Sequence, residues 1–89
     1  EGIDLEVLKG ASDYFGKTEI FLVEATVVSK HSKNDVVTVI NYMKENGYKL
    51  FDITDLNRPF NPKVLWLIEM VFIRENGLLD SQKLVEYGV

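Results

Sequence analysis

Residues 19–54 read EIFLVEATVVSKHSKNDVVTVINYMKENGYKLFDIT, and the order of patterns within them decides the fold class. Glu19–Val28 is dense in β-branched and apolar residues, which favours a strand. It does not alternate, and an unbroken apolar run belongs to a strand covered on both faces, as in a parallel α/β sheet. Ser29–Asn34 is a polar loop. Val36, Val39, Ile40 and Met43 then form one apolar stripe at helical spacing. Asn34 is placed to cap that helix with Asp35 in its first turn, Lys44 lies near its end, and Gly47 supplies a left-handed stop. Tyr48–Thr54 follows as a second strand. A strand, a helix and a strand form a right-handed crossover, so the two strands should run parallel.

Outward from this unit, Asp4–Lys9 carries Leu5 and Leu8 on one side and reads as a short helix halted at Gly10. Ser12–Thr18 is polar and turn-rich. Downstream, Pro59 and Pro62 exclude regular structure from Asp55–Val64, and Leu65–Arg74 is a third apolar strand. The connection between the last two strands suits an antiparallel hairpin. Asn76–Gly77 reads as a turn, and Asp80–Tyr87 as a short terminal helix. The expectation is an α/β fold with about three strands and two or three helices over residues 1–75, then a tail over residues 76–89.

The chain has 89 residues, enough for one domain. A net charge of −4 argues against nucleic acid, which requires a surplus of Lys and Arg on one face. No segment approaches the roughly 20 apolar residues that span a bilayer. Cysteine is absent and the first residues carry no targeting pattern, so the expected compartment is the cytoplasm. Three strands make a poor free-standing parallel sheet, and a long apolar unpaired edge is an aggregation hazard. The strand at Glu19–Val28 is therefore expected to pair with something upstream.

Four segments carry a family resemblance. The opening Glu1-Gly2-Ile3-Asp4-Leu5-Glu6-Val7-Leu8-Lys9-Gly10-Ala11 resembles a signature of the FkbM-family methyltransferases, in which an Asp-x-Glu-Gly segment leads into Glu-x-Leu-Lys-Gly-Ala. Phe21-Leu22-Val23-Glu24 is similar to the family's apolar strand ending in Glu. Gly47-Tyr48-Lys49-Leu50-Phe51-Asp52-Ile53 is similar to its Gly-aromatic-x-Leu-x-Asp strand, and Glu69-Met70-Val71-Phe72-Ile73-Arg74 to its last strand, where Asp is commoner than Glu69. The resemblance covers roughly residues 1–75. It implies the carboxyl-terminal part of a doubly wound, Rossmann-like methyltransferase fold that uses S-adenosylmethionine to methylate a hydroxylated small molecule or sugar. The Gly-rich turn that holds such a cofactor lies in the other half of these folds. Gly2, Gly10, Gly16, Gly47, Gly77 and Gly88 are too widely spaced to supply one, so this chain alone is not expected to bind the cofactor or catalyse.

Ligands of open α/β sheets bind outside the carboxyl ends of the parallel strands. Glu1-Gly2, the stretch from Glu24 to Lys33 and the loop from Asp55 to Val64 reach that rim. Glu1 and Gly2 follow the strand whose counterpart in the family faces the cofactor, although Glu1 also suits a plain helix start. Glu24 is the one charge inside an apolar strand and must reach a site, a cation or water. His31, the only histidine, has the titration range of a general base, yet it stands on a polar loop beside Lys30, Ser32 and Lys33. Arg58, Phe60 and Trp66 border the last rim loop, either as acceptor contacts or as two core-closing rings and a solvated cation. Asp52 and Asp55 are three apart, which puts them on opposite faces of a regular strand and disfavours a metal site. A rival from another class is a non-catalytic module that pairs as a homodimer through its exposed strand edge.

Overall fold

The computed structural model describes residues 5–10, 12–28 and 34–80. The elements in chain order are helix α1 (Leu5–Gly10), a 3-10 turn (Ser12–Tyr14), strand β1 (Ile20–Thr26), helix α2 (Val36–Glu45), strand β2 (Tyr48–Asn57) and strand β3 (Leu67–Arg74). They form a small α/β fold, with one three-stranded sheet in the order β1-β3-β2. The expected terminal helix at Asp80–Tyr87 lies, apart from Asp80, outside the described residues.

β3 is antiparallel to both neighbours. β1 and β2 therefore run parallel, as a crossover demands, but they are not adjacent: the returning strand fills the gap between them. The expected hairpin of the last two strands is present, and β2 runs three residues further than its apolar pattern suggested, to Asn57.

α2 begins where Asp35, not Asn34, caps it. Asp35 Oδ1 accepts from the Thr38 N–H at 3.0 Å and Oδ2 from the Thr38 hydroxyl at 2.6 Å. The helix closes at Asn46, and Gly47 follows with φ of 86°, a left-handed conformation in which a side chain is strained. Its Val39 and Met43 are fully buried against Phe21, Val23 and Ala25 of β1 and Ile68, Met70 and Phe72 of β3.

The amino ends of β1 and β2 are sealed by aromatic rings. Phe15 meets Phe21 and Tyr48 at centroid distances of 5.4 and 5.6 Å, and Phe21 meets Tyr48 at 5.1 Å. Tyr48 is fully buried, and its hydroxyl accepts from the Gly16 N–H and donates to the Thr18 carbonyl. A buried phenol needs such partners, because a buried hydroxyl left unpaired costs about 1–3 kcal/mol.

One expectation for β1 needs correction. Its burial alternates, with Phe21, Val23 and Ala25 inside and Ile20 and Leu22 46% and 40% exposed, so it is covered on one face only. The unbroken apolar run promised more cover than the described residues provide. β3 is the strand buried on both faces, with Val71 and Ile73 enclosed opposite Met70 and Phe72.

The two edges of the sheet differ. β2 pairs with β3 through register shifts between Leu50 and Asp52 and between Ile53 and Asp55. Such irregularities, together with Lys49, Asp52 and Asp55, are the means by which exposed edges resist further pairing. β1 pairs with β3 residue for residue without a shift. Glu19 O accepts from Arg74 N, and Val27 N donates to Trp66 O, so the odd residues direct their main-chain groups to β3. By alternation the even residues direct theirs to the free edge. Asn34 occupies the far end of that edge: its carbonyl takes the Thr26 N–H at 2.9 Å and its Nδ2 donates to Glu24 O at 2.6 Å. Among the described residues, what remains open runs from Ile20 to the Glu24 N–H.

The turn after β3 is tied back to the sheet by two carboxylates. Glu19 accepts from the Leu78 N–H and from the Arg74 guanidinium, each at 2.7 Å. Asp80 pairs with Lys49 and accepts from the Asn76 N–H. The Leu78 N–H and then Arg74 hold Glu19 below its ordinary pKa. Lys49 and then the Asn76 N–H lower Asp80, and the Thr38 hydroxyl and N–H lower Asp35.

Replacing Phe72 by Ala should cost about 3–5 kcal/mol in urea denaturation, the scale for emptying a buried aromatic site. A much smaller loss would mean that Phe72 is not in the packed core. Acid should also weaken the fold in a defined sense. Carboxylates with depressed folded pKa values bind fewer protons than the unfolded chain does, so their contribution is complete above the ordinary carboxylate range and is lost as pH falls through the folded values. The thermal midpoint should therefore hold steady above about pH 5 and drop below about pH 4, with a shallower drop in Glu19→Gln. An unchanged acid slope in that variant would show that Glu19 does not anchor the turn.

Candidate functional site

The carboxyl ends of β1 and β2 lie at the same end of the sheet, and the backbone of Trp66 joins them. Trp66 N–H donates to Asn57 O at 2.9 Å, at the end of β2, while Trp66 O accepts from Val27 N–H at 2.8 Å, just beyond β1. A chain leaving β2 must cross this rim to return as β3. Pro59 and Pro62 keep it out of regular structure, and Asn61 shapes the crossing by accepting from Lys63 N–H through its side chain and from Val64 N–H through its carbonyl.

Two rings stand at this crossing. Phe60 and Trp66 meet edge to face, with centroids 5.3 Å apart and planes at 88°. Such pairs contribute about 0.5–1.5 kcal/mol beyond burial. Trp66 is half-buried, whereas Phe60 is 79% exposed and Val27, Val28, Leu56 and Val64 are exposed around the same end. Of the two alternatives for these rings, core closure therefore fails for Phe60. Arg58, exposed between Asn57 and Pro59, makes no ion pair among the described residues.

Glu24 is half-buried on β1, in register with Glu69 of β3, which is in turn in register with Asp55 of β2. Three carboxylate-bearing residues thus share one row across the sheet. Asp52 is in register with Val71, two residues from Glu69, so the irregularities of β2 bring Asp52 and Asp55 to one face and overturn the opposite-face reading. Both also lie within β2, not in a turn after it. Thr54 Oγ1 donates to Glu69 Oε1 at 3.0 Å. Among the described residues no three acidic, His or Cys side chains are placed to hold a metal ion.

The structure therefore brings Arg58 and Trp66 together at the rim and sets Glu24 two residues short of it, on a face shared with Glu69. Glu1, Gly2 and His31 lie outside the described residues. Two contributors escaped the sequence reading. Asn34 fastens the end of β1, although its polar character suggested only a helix cap. Thr26 Oγ1, at the same end, is buried with no hydrogen-bond partner among the described residues. Only the register of β1 against β3 and the position of residue 34 place it, so no spacing rule could have found it.

Chemically, the rim offers aromatic and aliphatic surface with a cation beside it, which suits binding and positioning. Like charges directly opposite one another across a sheet are destabilising. Glu24→Gln should leave the fold intact and raise stability by roughly 0.2–1 kcal/mol in chemical denaturation. A loss of stability instead would mean that Glu24 holds a partner whose contribution outweighs its repulsion with Glu69. No family model, curated protein or solved structure matches this chain, so the reading of its rim rests on its own residues and geometry.

Proposed function

We propose that this chain is the carboxyl-terminal part of an S-adenosylmethionine-dependent methyltransferase domain of FkbM type, acting on the hydroxyl group of a small molecule or sugar. The observation that carries this reading is the contrast between the two sheet edges. β2 ends the sheet with register shifts and charges, as a finished edge does. β1 offers a regular, apolar edge from Ile20 to Glu24, the form of a strand that continues a sheet. A strand, a helix and two strands closing as a hairpin are also the pieces, in the order, that the resemblance implies. The doubly wound sheet would extend from the β1 side, in the cytoplasm.

The described residues fit the acceptor better than the cofactor. S-adenosylmethionine carries a sulfonium cation, and the crossing at this rim carries the cations Arg58 and Lys63, neither ion-paired among the described residues, which repel it. No Gly-rich turn stands at a helix start to cradle the cofactor's nucleoside end. In this reading the cofactor is held beyond the β1 edge; Glu1 and Gly2 would serve it and His31 would act as a base. Arg58, Trp66 and Glu24 would belong to the acceptor side.

One observation favours a second reading, a homodimer without catalysis. The open main-chain groups run from Ile20 to the Glu24 N–H with Leu22 at their centre, so two copies of β1 could pair antiparallel with a twofold axis at that residue, the Glu24 carbonyl being shared with Asn34.

Hydrogen exchange separates these readings. In the 89-residue chain the Leu22 amide should exchange quickly, and calorimetric titration with S-adenosylmethionine should give no heat. In a gene product that carries the upstream segment, that amide should be protected and the cofactor should bind stoichiometrically. Failure of the longer product to bind the cofactor would sink the methyltransferase reading. A discrete dimer in light scattering, with Leu22 protected in the short chain, would establish the second.

A further inference from the structure

The segment from Arg58 to Trp66 reverses the charge of the molecule around it. The chain carries a net charge of −4, yet this crossing holds Arg58 and Lys63 and no acidic residue. Neither cation makes an ion pair among the described residues, and both are exposed. Between them in sequence stands Phe60, 79% exposed and in a perpendicular ring contact with Trp66. At that exposure most of the Phe60 ring is open to solvent although Trp66 braces it. The base of the crossing is fixed by the Trp66 hydrogen bonds to Asn57 and Val27 and by the two bonds to Asn61.

From this juxtaposition we infer that the crossing is a binding lip for a flat, apolar organic anion, such as an aromatic carboxylate bearing a hydroxyl group. The ligand's ring stacks on Phe60 beside Trp66, and Arg58 takes its carboxylate through paired N–H donors, with Lys63 adding a second positive charge. The carboxylate row of Glu24, Glu69 and Asp55 repels such an anion from the sheet face and confines it to the lip. The same composition, aromatic and basic, also occurs on surfaces that dock on anionic membranes. Those surfaces concentrate four to eight basic residues, whereas this one has two on an acidic chain, which favours a single small anion. The inference rests on the methyltransferase reading only in naming this ligand as the acceptor; the binding itself requires no cofactor.

The test uses the whole 89-residue chain and its single tryptophan. One indole N–H resonance reports on the lip in a two-dimensional nitrogen–proton spectrum, while the remaining amides report on the fold. Titration with 6-hydroxy-2-naphthoate should move the Trp66 indole signal to saturation. Arg58→Gln should weaken that binding roughly tenfold or more, and 2-naphthol, which lacks the carboxylate, should bind the native chain correspondingly less well. Phe60→Ala should abolish it, with amide dispersion retained because both side chains are exposed. Absence of a saturable indole shift overturns the inference, as does equal affinity for 2-naphthol. A larger response to phosphatidylglycerol vesicles than to the naphthoate overturns it in favour of a membrane surface. Failure of the cofactor to bind a longer product would leave these results standing.

Discussion

β3 is paired on both edges and buried on both faces, and the rest of the structure is arranged to satisfy it. On one side Ile68, Met70 and Phe72 need α2, whose Val39 and Met43 meet them. On the other, Val71 and Ile73 are enclosed while their neighbours Leu22 and Ile20 stay partly exposed. A central strand of this kind cannot form before its flanking strands, because each of its main-chain groups needs a partner as it leaves water. The crossover through α2 sets β1 and β2 parallel and one strand apart, and β3 completes the ladder by returning between them. The contacts that stabilise the sheet are thus mostly distant in sequence, and a polar substitution in β3 would disrupt two strand pairs and two faces together.

The two ends of the sheet follow from that arrangement. At the amino ends of β1 and β2, Phe15, Phe21 and Tyr48 pack ring on ring, and the Tyr48 hydroxyl fastens the turn at Gly16 and Thr18. This end is closed. At the carboxyl ends the connection to β3 must pass over the rim, and Trp66 fixes it with one hydrogen bond to each neighbour. The loop that results is anchored at its base and exposed at its tip, so Phe60 and Arg58 stand away from the core on a rigid footing. A scaffold closed at one end and decorated at the other is how α/β sheets separate stability from binding.

Much of this was legible in the sequence, and the failures have definite causes. Helical spacing at Val36, Val39, Ile40 and Met43 located α2, and Gly47 ended it, because both are local properties of the chain. The parallel sense of β1 and β2 followed from connection length. The insertion of β3 between them did not, since strand order depends on which edges are left to pair and not on any one segment's composition. The continuous apolar run of β1 suggested two covered faces, but apolar character records what a strand tolerates, and the alternating burial records what it meets. Asp52 and Asp55 were misplaced because an irregular register adds a residue and flips every side chain beyond it. At the candidate site, Arg58 and Trp66 were placed at the rim from their position after a strand. Thr26 and Asn34 were not, since a single threonine or asparagine gains meaning only from its neighbour across the sheet.

The asymmetry of the edges bears on how such a sheet avoids misassociation. β2 is exposed along nearly its whole length, and its apolar Leu50, Phe51, Ile53 and Leu56 would make it sticky if it were flat. Two register shifts twist it, and Asp52 and Asp55 charge it, so an incoming strand would lose hydrogen bonds at each shift and meet carboxylates between them. β1 has no register shift, and Glu24 is its one charge. Asn34 instead caps only the end of its free edge, bonding Glu24 O and Thr26 N–H and leaving the stretch from Ile20 to Glu24 regular. A cap of that kind does not prevent pairing; it limits pairing to a fixed length and stops a neighbouring strand from running on into the rim. A strand that paired with this edge would end where the candidate site begins, which would leave the rim open to a ligand.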